Sequence, residues 1–569
     1  MNRLLATVLA ALLASCASVP TPQRVAPATE TAHAQIAVTA HPLASKAALA
    51  ILDKGGSPID AAIAAQMVLG LVEPQSSGLG GGTLVMNWDA GKRKLASYDG
   101  LAAAPAIVTA SSRTDTDGKL LEAEASRRGG RTVGVPGTVA VLAMAHERHG
   151  KLAWRDLLQP AIDLAERGFP MPRYLHGILS QPGSAKDHAE MRELYFGGND
   201  KPHPVGTTIR NPGYAKTLRR LALGGPASFT GDGGEAKAIV DAAQRGFRAT
   251  LMTVEDLRDY RATERDPVCA PFLAFRVCTM APPSFGGLVV LQVLQMVEAR
   301  AGGRFDFDDA SFAHLYAEAG KLAQADRRQY VGDPDFVRVP VAALADPAYA
   351  KDRATLIDPA HAAKGVKAGV PGKNLAALAP DGSDPVVATS QIAIADRAGN
   401  AISITTTINL NFGSRLMVDG FVLNNAMTNF SAAPKAGETI ANQMAPRKRP
   451  VTSMAPTIVF DPEGRPVVVG GSAGGGPIVD YIASSLIEML ANDRTPAEAL
   501  SRGHMSTAVP GKVQLEKGTP AAALAPALAA KGHAVEEVPL VSGLGFLKRS
   551  GHGWIGAADP RRDGAPAGN

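Results

Sequence analysis

The chain has 569 residues, of which 46% are hydrophobic, 20% charged and 5% aromatic, enough apolar material for a large core and too much for a disordered chain. Lys and Arg number 58 against 53 Asp and Glu, and the resulting +5 is too weak an excess over this length to mark a nucleic-acid partner. The basic triplet Arg447-Lys448-Arg449 reads as a surface loop or an anion site.

Arg3 and the ten-residue apolar run Leu4–Leu13 have the charge and length of a signal-peptide core, too short to span a bilayer. Leu13-Ala14-Ser15-Cys16 is similar to a bacterial lipobox. Residues 1–15 are therefore expected to be a signal peptide and Cys16 a lipidation site, with ordinary cleavage nearby as the alternative. A periplasmic destination is expected either way, with a lipid anchor if Cys16 is modified. Residues 16–33, rich in Pro, Ala and Thr, read as a flexible tether. Beyond them no apolar run reaches the roughly 18 residues of a membrane span without a charge or glycine.

From Ala34 to about Asp358, helical stretches such as Ser45–Leu52, Ile59–Leu71 and Ser311–Tyr330 alternate with loops punctuated by Gly and Pro. Gly78-Leu79-Gly80-Gly81-Gly82-Thr83 looks like a dinucleotide fingerprint, but Thr83–Trp88 alternates as a strand, so the phosphate lacks its helix. Cys269 and Cys278 flank eight residues. In an oxidising compartment they form a hairpin disulfide or stay as two buried thiols. His146 and His149 fall one residue short of zincin spacing, and two cysteines without a matched His pair make no zinc site. Neither a metal nor another cofactor is expected. Residues 359–387 read as an exposed loop.

After Thr389 the pattern turns to strands. Gln391–Ala395 and Ala401–Ile408 alternate about the turn 396–400. Pairing Ala395 with Ala401 sets Thr389 opposite Thr407, Gln391 opposite Thr405 and Ala393 opposite Ser403, with Cβ atoms about 4.5–5.5 Å apart. One face then carries a row of hydroxyls ending at Asn409, and the other carries Ile402, Ile404 and Ile408 for a core. Propensity alone also accounts for a row of Thr, on a solvated face. Thr457–Phe460 and Pro466–Val469 form a hairpin, and the loop Gly470–Gly476 opens the apolar helix Pro477–Leu490. Backbone N–H groups at such a helix start can bind an anion or an oxyanion. The same loop matches Gly-x-Ser-x-Gly, with Ser472 as nucleophile and His504, His533 or His552 as downstream partners.

A series of stretches in order carries a resemblance. They are Glu73-Pro74-Gln75-Ser76-Ser77-Gly78-Leu79-Gly80-Gly81-Gly82, Val135-Pro136-Gly137-Thr138, Ala325-Asp326-Arg327, Gly332-Asp333-Pro334, Asn424-Asn425, Lys448-Arg449-Pro450 and Met454-Ala455-Pro456-Thr457. Together they resemble the γ-glutamyltransferases, or glutathione hydrolases, which are N-terminal-nucleophile hydrolases. The match runs from about Ala34 to Arg562.

The resemblance implies a mixed α/β, four-layer αββα sandwich and self-cleavage between Ala388 and Thr389. A large chain, 34–388, and a small catalytic chain, 389–569, would share one core as a heterodimer. Thr389 becomes the nucleophile, Thr407 its orienting partner, and Gly474 and Gly475 the oxyanion amides. A free α-amine has a reference pKa of about 7.7–8.0, low enough to serve as base for its own hydroxyl, so no histidine is required. The acyl-enzyme would pass its acyl group to water or to an acceptor amine.

Implied substrate contacts are Asn409, Asn429 and the hydroxyl pair Thr452-Ser453. Other positions depart from the family. Its Arg-Glu-Thr-Ala-Pro stretch reads Leu101-Ala102-Ala103-Ala104-Pro105, and the holders of the substrate amine are replaced by Ala426 and Asn429. Acylase-type relatives, which accept acyl groups lacking the amine, resemble this chain in carrying Asn at the position of Asn429. Three functions are therefore expected to compete: a γ-glutamyl hydrolase or transferase, a glutaryl-type acylase, and a catalytically silent exported relative. Retention of Thr389, Thr407, Asn409, Gly474 and Gly475 disfavours the third.

Overall fold

The computed structural model describes residues 26–112, 127–182, 186, 188–231, 234–245, 248–373, 375–383, 388–435 and 437–569. The expected signal peptide and Cys16 lie outside these residues.

The alternation around residue 400 decides the architecture. Ile392, Ile394, Ile402 and Ile404 point to one side, into a core shared with the helices Pro42–Asp53, Pro58–Val72, Thr138–His149 and Trp154–Arg167. Ala393, Ala395 and Ala401 point to the other side, where they meet Ile458, Phe460, Val469 and Leu547 of a second sheet. Small side chains on this inner face let the two sheets stack. The far face of the second sheet, with Val459, Val468 and Phe546, packs on the helices Gly286–Arg300, Ala310–Tyr330 and Ile478–Leu490. Each buried Ile or Leu contributes about 1.5–3 kcal/mol, so the three apolar layers are what hold the stack together. The result is helix, sheet, sheet, helix, as expected.

Each of the two stacked sheets has seven strands among the described residues. One runs in the order Ala565–Gly568, Ile36–Thr39, Ser390–Ala395, Ala401–Thr407, Gly82–Asp89, Lys94–Gly100, Thr263–Arg265. The other runs Ala28–Ala32, Gly553–Ala558, Gly545–Ser550, Pro466–Gly471, Thr457–Phe460, Phe275–Thr279, Val268–Phe272. The central pair has the expected register: Gln391 opposes Thr405, Ala393 opposes Ser403 and Ala395 opposes Ala401. The hydroxyl face is not solvated, because Gln391, Ser403 and Thr405 are buried between the sheets.

Two further expectations meet the structure here. The tether is shorter than 16–33, because Ala28–Ala32 pairs antiparallel with Gly553–Ala558 at a sheet edge. Four of its five residues are exposed, so the strand leaves no hydrophobic period to read. Cys269 and Cys278 oppose each other in the Val268–Phe272/Phe275–Thr279 hairpin and form a disulfide.

Candidate active site around Thr389

Thr389 lies at the head of the Ser390–Ala395 strand and is buried, 3% exposed. Continuing the register sets it beside Thr407, the last residue of the neighbouring strand. Thr407 Oγ1 donates to the carbonyl oxygen of Ala388, the residue just before Thr389. The Asn409 N–H donates to Thr407 Oγ1 at 2.8 Å. A hydroxyl that accepts from an N–H keeps its own proton for a carbonyl, so these two bonds fix its direction. Asn409 has a φ of 84°, and its Nδ2 reaches Thr428 Oγ1 at 2.8 Å and Asn425 O at 3.1 Å. It thereby joins the strand end to the short helix Ala426–Asn429.

A buried polar chain ties the strand pair to the Pro466–Gly471 strand that leads into the glycine loop. Thr405 Oγ1 donates to Gln391 Oε1 at 2.7 Å, Gln391 Nε2 donates to Ser403 Oγ at 3.0 Å, and Ser403 Oγ donates to Gly470 O at 2.8 Å. The expected row of hydroxyls is thus a strut between the two sheets. Gly474 and Gly475 have φ values of 134° and 69°, and among the described residues neither N–H donates a hydrogen bond. Ser453 Oγ donates to Gly475 O at 2.7 Å, which brings the Thr452-Ser453 pair to the loop. Thr389, Thr407 and Asn409 thus meet at the end of the central strand pair, and Ser453 meets Gly475 in the glycine loop.

The family profile for γ-glutamyltranspeptidase matches residues 44–569. The chain belongs to the γ-glutamyltranspeptidase family. It is 33% identical over 542 residues to the glutathione hydrolase proenzyme of Bacillus subtilis strain 168, covering 93% of this chain and 90% of that protein. It is 34% identical over 543 residues to the acylase ACY 1 proenzyme of Pseudomonas sp. strain SE83, covering 93% and 92%. The cephalosporin acylase from Bacillus halodurans superposes with a TM-score of 0.82 at 26% identity, over 97% of this chain and 98% of that one. The N-terminal-nucleophile class expected from the motifs is the class found.

Of the positions expected to depart from the family pattern, Leu101, Ala102 and Ala426 lie in apolar clusters. Leu101 packs between the sheets with Leu84, Met86 and Met454. Ala102, Ala104, Val108, Ala426, Met427, Phe430 and Met444 form a separate buried cluster. This cluster takes in the same short helix that Asn409 holds. Asn429, at the end of that helix, is 8% exposed, and its Oδ1 has no hydrogen-bond partner among the described residues.

The elbow reading of Ser472 finds no support in the geometry. Ser472 Oγ donates to Ala473 O at 2.7 Å, while His504 bonds to Ser542 and His533 to His314. His552 is exposed. Of the basic triplet only Arg447 lies at the surface, where it pairs with Asp259. Lys448 and Arg449 are buried, and the Arg449 N–H donates to Asp333 Oδ2 at 2.8 Å. Desolvation lowers the Lys448 pKa to about 8 against the pull of Asp333 and Asp381, and its Nζ donates to Ala441 O at 2.7 Å.

Among the described residues, His314, Glu318 and His533 are close enough to hold a metal ion. Their lone pairs are already used. Lys321 Nζ lies 2.7 Å from Glu318 Oε1 and 2.9 Å from His533 Nδ1, and its ammonium supplies the positive charge there. No sequence spacing announces this cluster, because His314 and His533 are 219 residues apart. His146 bonds to Leu152 O and His149 to Tyr98, so that pair points to different partners.

Proposed function

We propose that the chain is an exported proenzyme that cuts itself between Ala388 and Thr389 and then transfers the acyl group of a γ-glutamyl-type amide, glutathione among them, to water or an acceptor amine. The hydrogen bond from Thr407 to the Ala388 carbonyl carries this reading. That contact polarises the carbonyl that Thr389 Oγ attacks. The C–N bond breaks, the nitrogen takes up the hydroxyl proton, and water hydrolyses the resulting ester to leave a large chain ending at Ala388 and a small chain beginning at Thr389. In the cut enzyme the Thr389 amine accepts the Oγ proton as the substrate carbonyl is attacked. Gly474 and Gly475 receive the oxyanion, and Asn409, Asn429, Thr452 and Ser453 line the acyl side. Cys16 carries the lipid if the chain is anchored in the periplasm.

The apolar cluster that takes in Ala102 and Ala426 favours a second reading, an acylase for an amide whose acyl group lacks the charged amine. The acylases among the relatives fit it. Paired assays on γ-glutamyl and glutaryl anilides separate the two, because the substrates differ only in the α-amino group. A clear glutaryl preference would replace the first reading with the second.

The intact mass under denaturing conditions tests the core of the proposal. A fragment spanning 389–569 in the wild type, an uncut Thr389→Ala variant and a normally cut Ser472→Ala variant are expected. A single uncut wild-type chain, inert on both anilides, would return the weight to a silent relative.

A further inference from the structure

Glu73 follows the Pro58–Val72 helix, its N–H donating to Leu69 O at 2.8 Å, and its side chain is 1% exposed. It sits beneath the head of the nucleophile strand. Ser390 Oγ donates to Glu73 Oε2 at 2.6 Å, and Ser77 Oγ donates to Ser390 Oγ at 3.0 Å. Glu73 Oε1 is buried with no hydrogen-bond partner among the described residues. Arg562 Nη1 donates to the Thr389 carbonyl oxygen at 2.7 Å. Ser390 is therefore gripped by a buried acid and Thr389, just before the strand, by a buried guanidinium.

The other titratable groups facing Glu73 are Arg562 and Asp563 of the C-terminal segment and Tyr174 of the Arg173–Leu179 helix. Asp559 lies beyond Tyr174, and His41 stands against Asp563. Burial pushes the Glu73 pKa up to about 7, opposed by Arg562 and by the Ser390 hydroxyl. Holding Ser390 does not require an acid, since a neutral amide oxygen accepts the same bond. A buried carboxyl with one oxygen unpaired is an expensive way to do it. Cleavage changes the charge balance at this spot, because the neutral peptide nitrogen of Thr389 becomes an α-ammonium one residue from Ser390.

We propose that Glu73 is the buried counter-ion of the N-terminus that maturation creates, a positioning residue that sets the pH at which the Thr389 amine becomes a base. The inference rests on Thr389 as the nucleophile. The arriving cation favours the ionised carboxylate, and the carboxylate in turn favours the ammonium. The pair then titrates as a unit, with the amine losing its proton at higher pH than it would beside a neutral group.

Glu73→Gln keeps an acceptor for Ser390 and removes the charge, whereas Ser390→Ala removes the bond and keeps the charge. Rates of anilide hydrolysis are scaled to the cut fraction, since only cut enzyme turns over. The acidic limb of kcat/KM should move down by about one pH unit in Glu73→Gln, stay in place in Ser390→Ala and return in Glu73→Asp. If neither anilide is turned over, the same shift is read from the pH dependence of reductive methylation at the Thr389 amine, followed by mass. An unmoved limb in Glu73→Gln overturns the proposal. So does an equal shift in both variants, or a Glu73→Gln chain that stays uncut while Ser390→Ala is cut. Cleavage and activity in Thr389→Ala would instead sink the nucleophile assignment, so the two failures are distinguishable.

Discussion

Thr407 Oγ1 donates to the Ala388 carbonyl while the Asn409 N–H donates to Thr407 Oγ1, so the Thr407 hydroxyl is aimed at the peptide proposed for self-cleavage. A preorganised donor of this kind is worth about 2.7–4 kcal/mol once charge develops on the oxygen it faces. Thr407→Ala should slow self-cleavage by about 10²–10³-fold, and Thr407→Ser, which keeps the hydroxyl, should recover most of the rate. The cut fraction against time on a denaturing gel reads this directly. Equal rates in Thr407→Ala and wild type would remove Thr407 from the reaction.

The glycine loop gives a prediction about turnover. A Cβ placed on Gly474 would lie 2.5 Å from Tyr481 Cε2, and its φ of 134° is a conformation that L side chains rarely adopt. Tyr481 belongs to the buried helix Ile478–Leu490 and cannot withdraw, so the loop has to move. Gly474→Ala should therefore misplace the two amides proposed to receive the oxyanion and lower kcat by about 100-fold, with KM changing much less. A variant that folds, is cut and keeps wild-type kcat would show that this N–H does not face the reacting oxygen.

Leu101 stands where the resemblance implies an arginine, and its side chain belongs to the core between the sheets. Putting the arginine back is therefore not a restoration. Leu101→Arg would bury a guanidinium among Leu84, Met86 and Met454. The one acid that bonds to this residue's N–H, Asp99, is already held by Arg265 and Arg449, and a poorly paired buried charge costs about 3–5 kcal/mol. The expected result is a Tm drop of several degrees without improved binding of γ-glutamyl substrates. A stable variant with a lower KM for the γ-glutamyl anilide would mean that the side chain reaches the acyl pocket.

The sequence was most legible where a local rule had one solution. The five-residue turn at 396–400 and the alternation on either side of it dictated the register, and with it the placing of Thr389 beside Thr407. The same alternation could not say what the hydroxyl face looks at, because a solvated row of Thr and a buried one have the same period. The partner that decides it, Gly470 O, comes 67 residues after Ser403. Ion pairing was equally out of reach. Arg449 lies with Asp99 and Asp333, and Glu73 bonds to Ser390 across a separation of 317 residues, so neither contact leaves a spacing to recognise. Ala28–Ala32 was missed for the opposite reason, since an edge strand with four exposed residues has no apolar face to betray it.

The network around His533 gives the chain a predictable response to acid. Lys321 can only donate, so His533 Nδ1 accepts from it at 2.9 Å. His533 Nε2 must then carry its proton and donate to His314 Nδ1 at 2.8 Å, and His314 Nε2 donates to Asp358 O at 2.7 Å. Desolvation, reinforced by Lys321 and His314, pushes the His533 pKa down to about 3. An unfolded histidine takes its proton near pH 6.5, so between that value and about 3 the unfolded chain binds a proton that the folded chain refuses. The stability contributed by neutral His533 is present above pH 6.5 and is lost as the pH falls, at up to about 1.4 kcal/mol per pH unit. Asp358 belongs to the segment that Glu318 and Lys531 also hold, through Ala363 N at 3.0 Å and Ala362 N at 2.7 Å. The segment 358–363 should therefore loosen first from the residues around His533. His533→Gln, which cannot be protonated, should be less stable than wild type at pH 7 yet lose less Tm between pH 6.5 and 4. Parallel Tm curves for the two proteins over that range would show that His533 does not titrate on unfolding and that the acid response lies in the carboxylates alone.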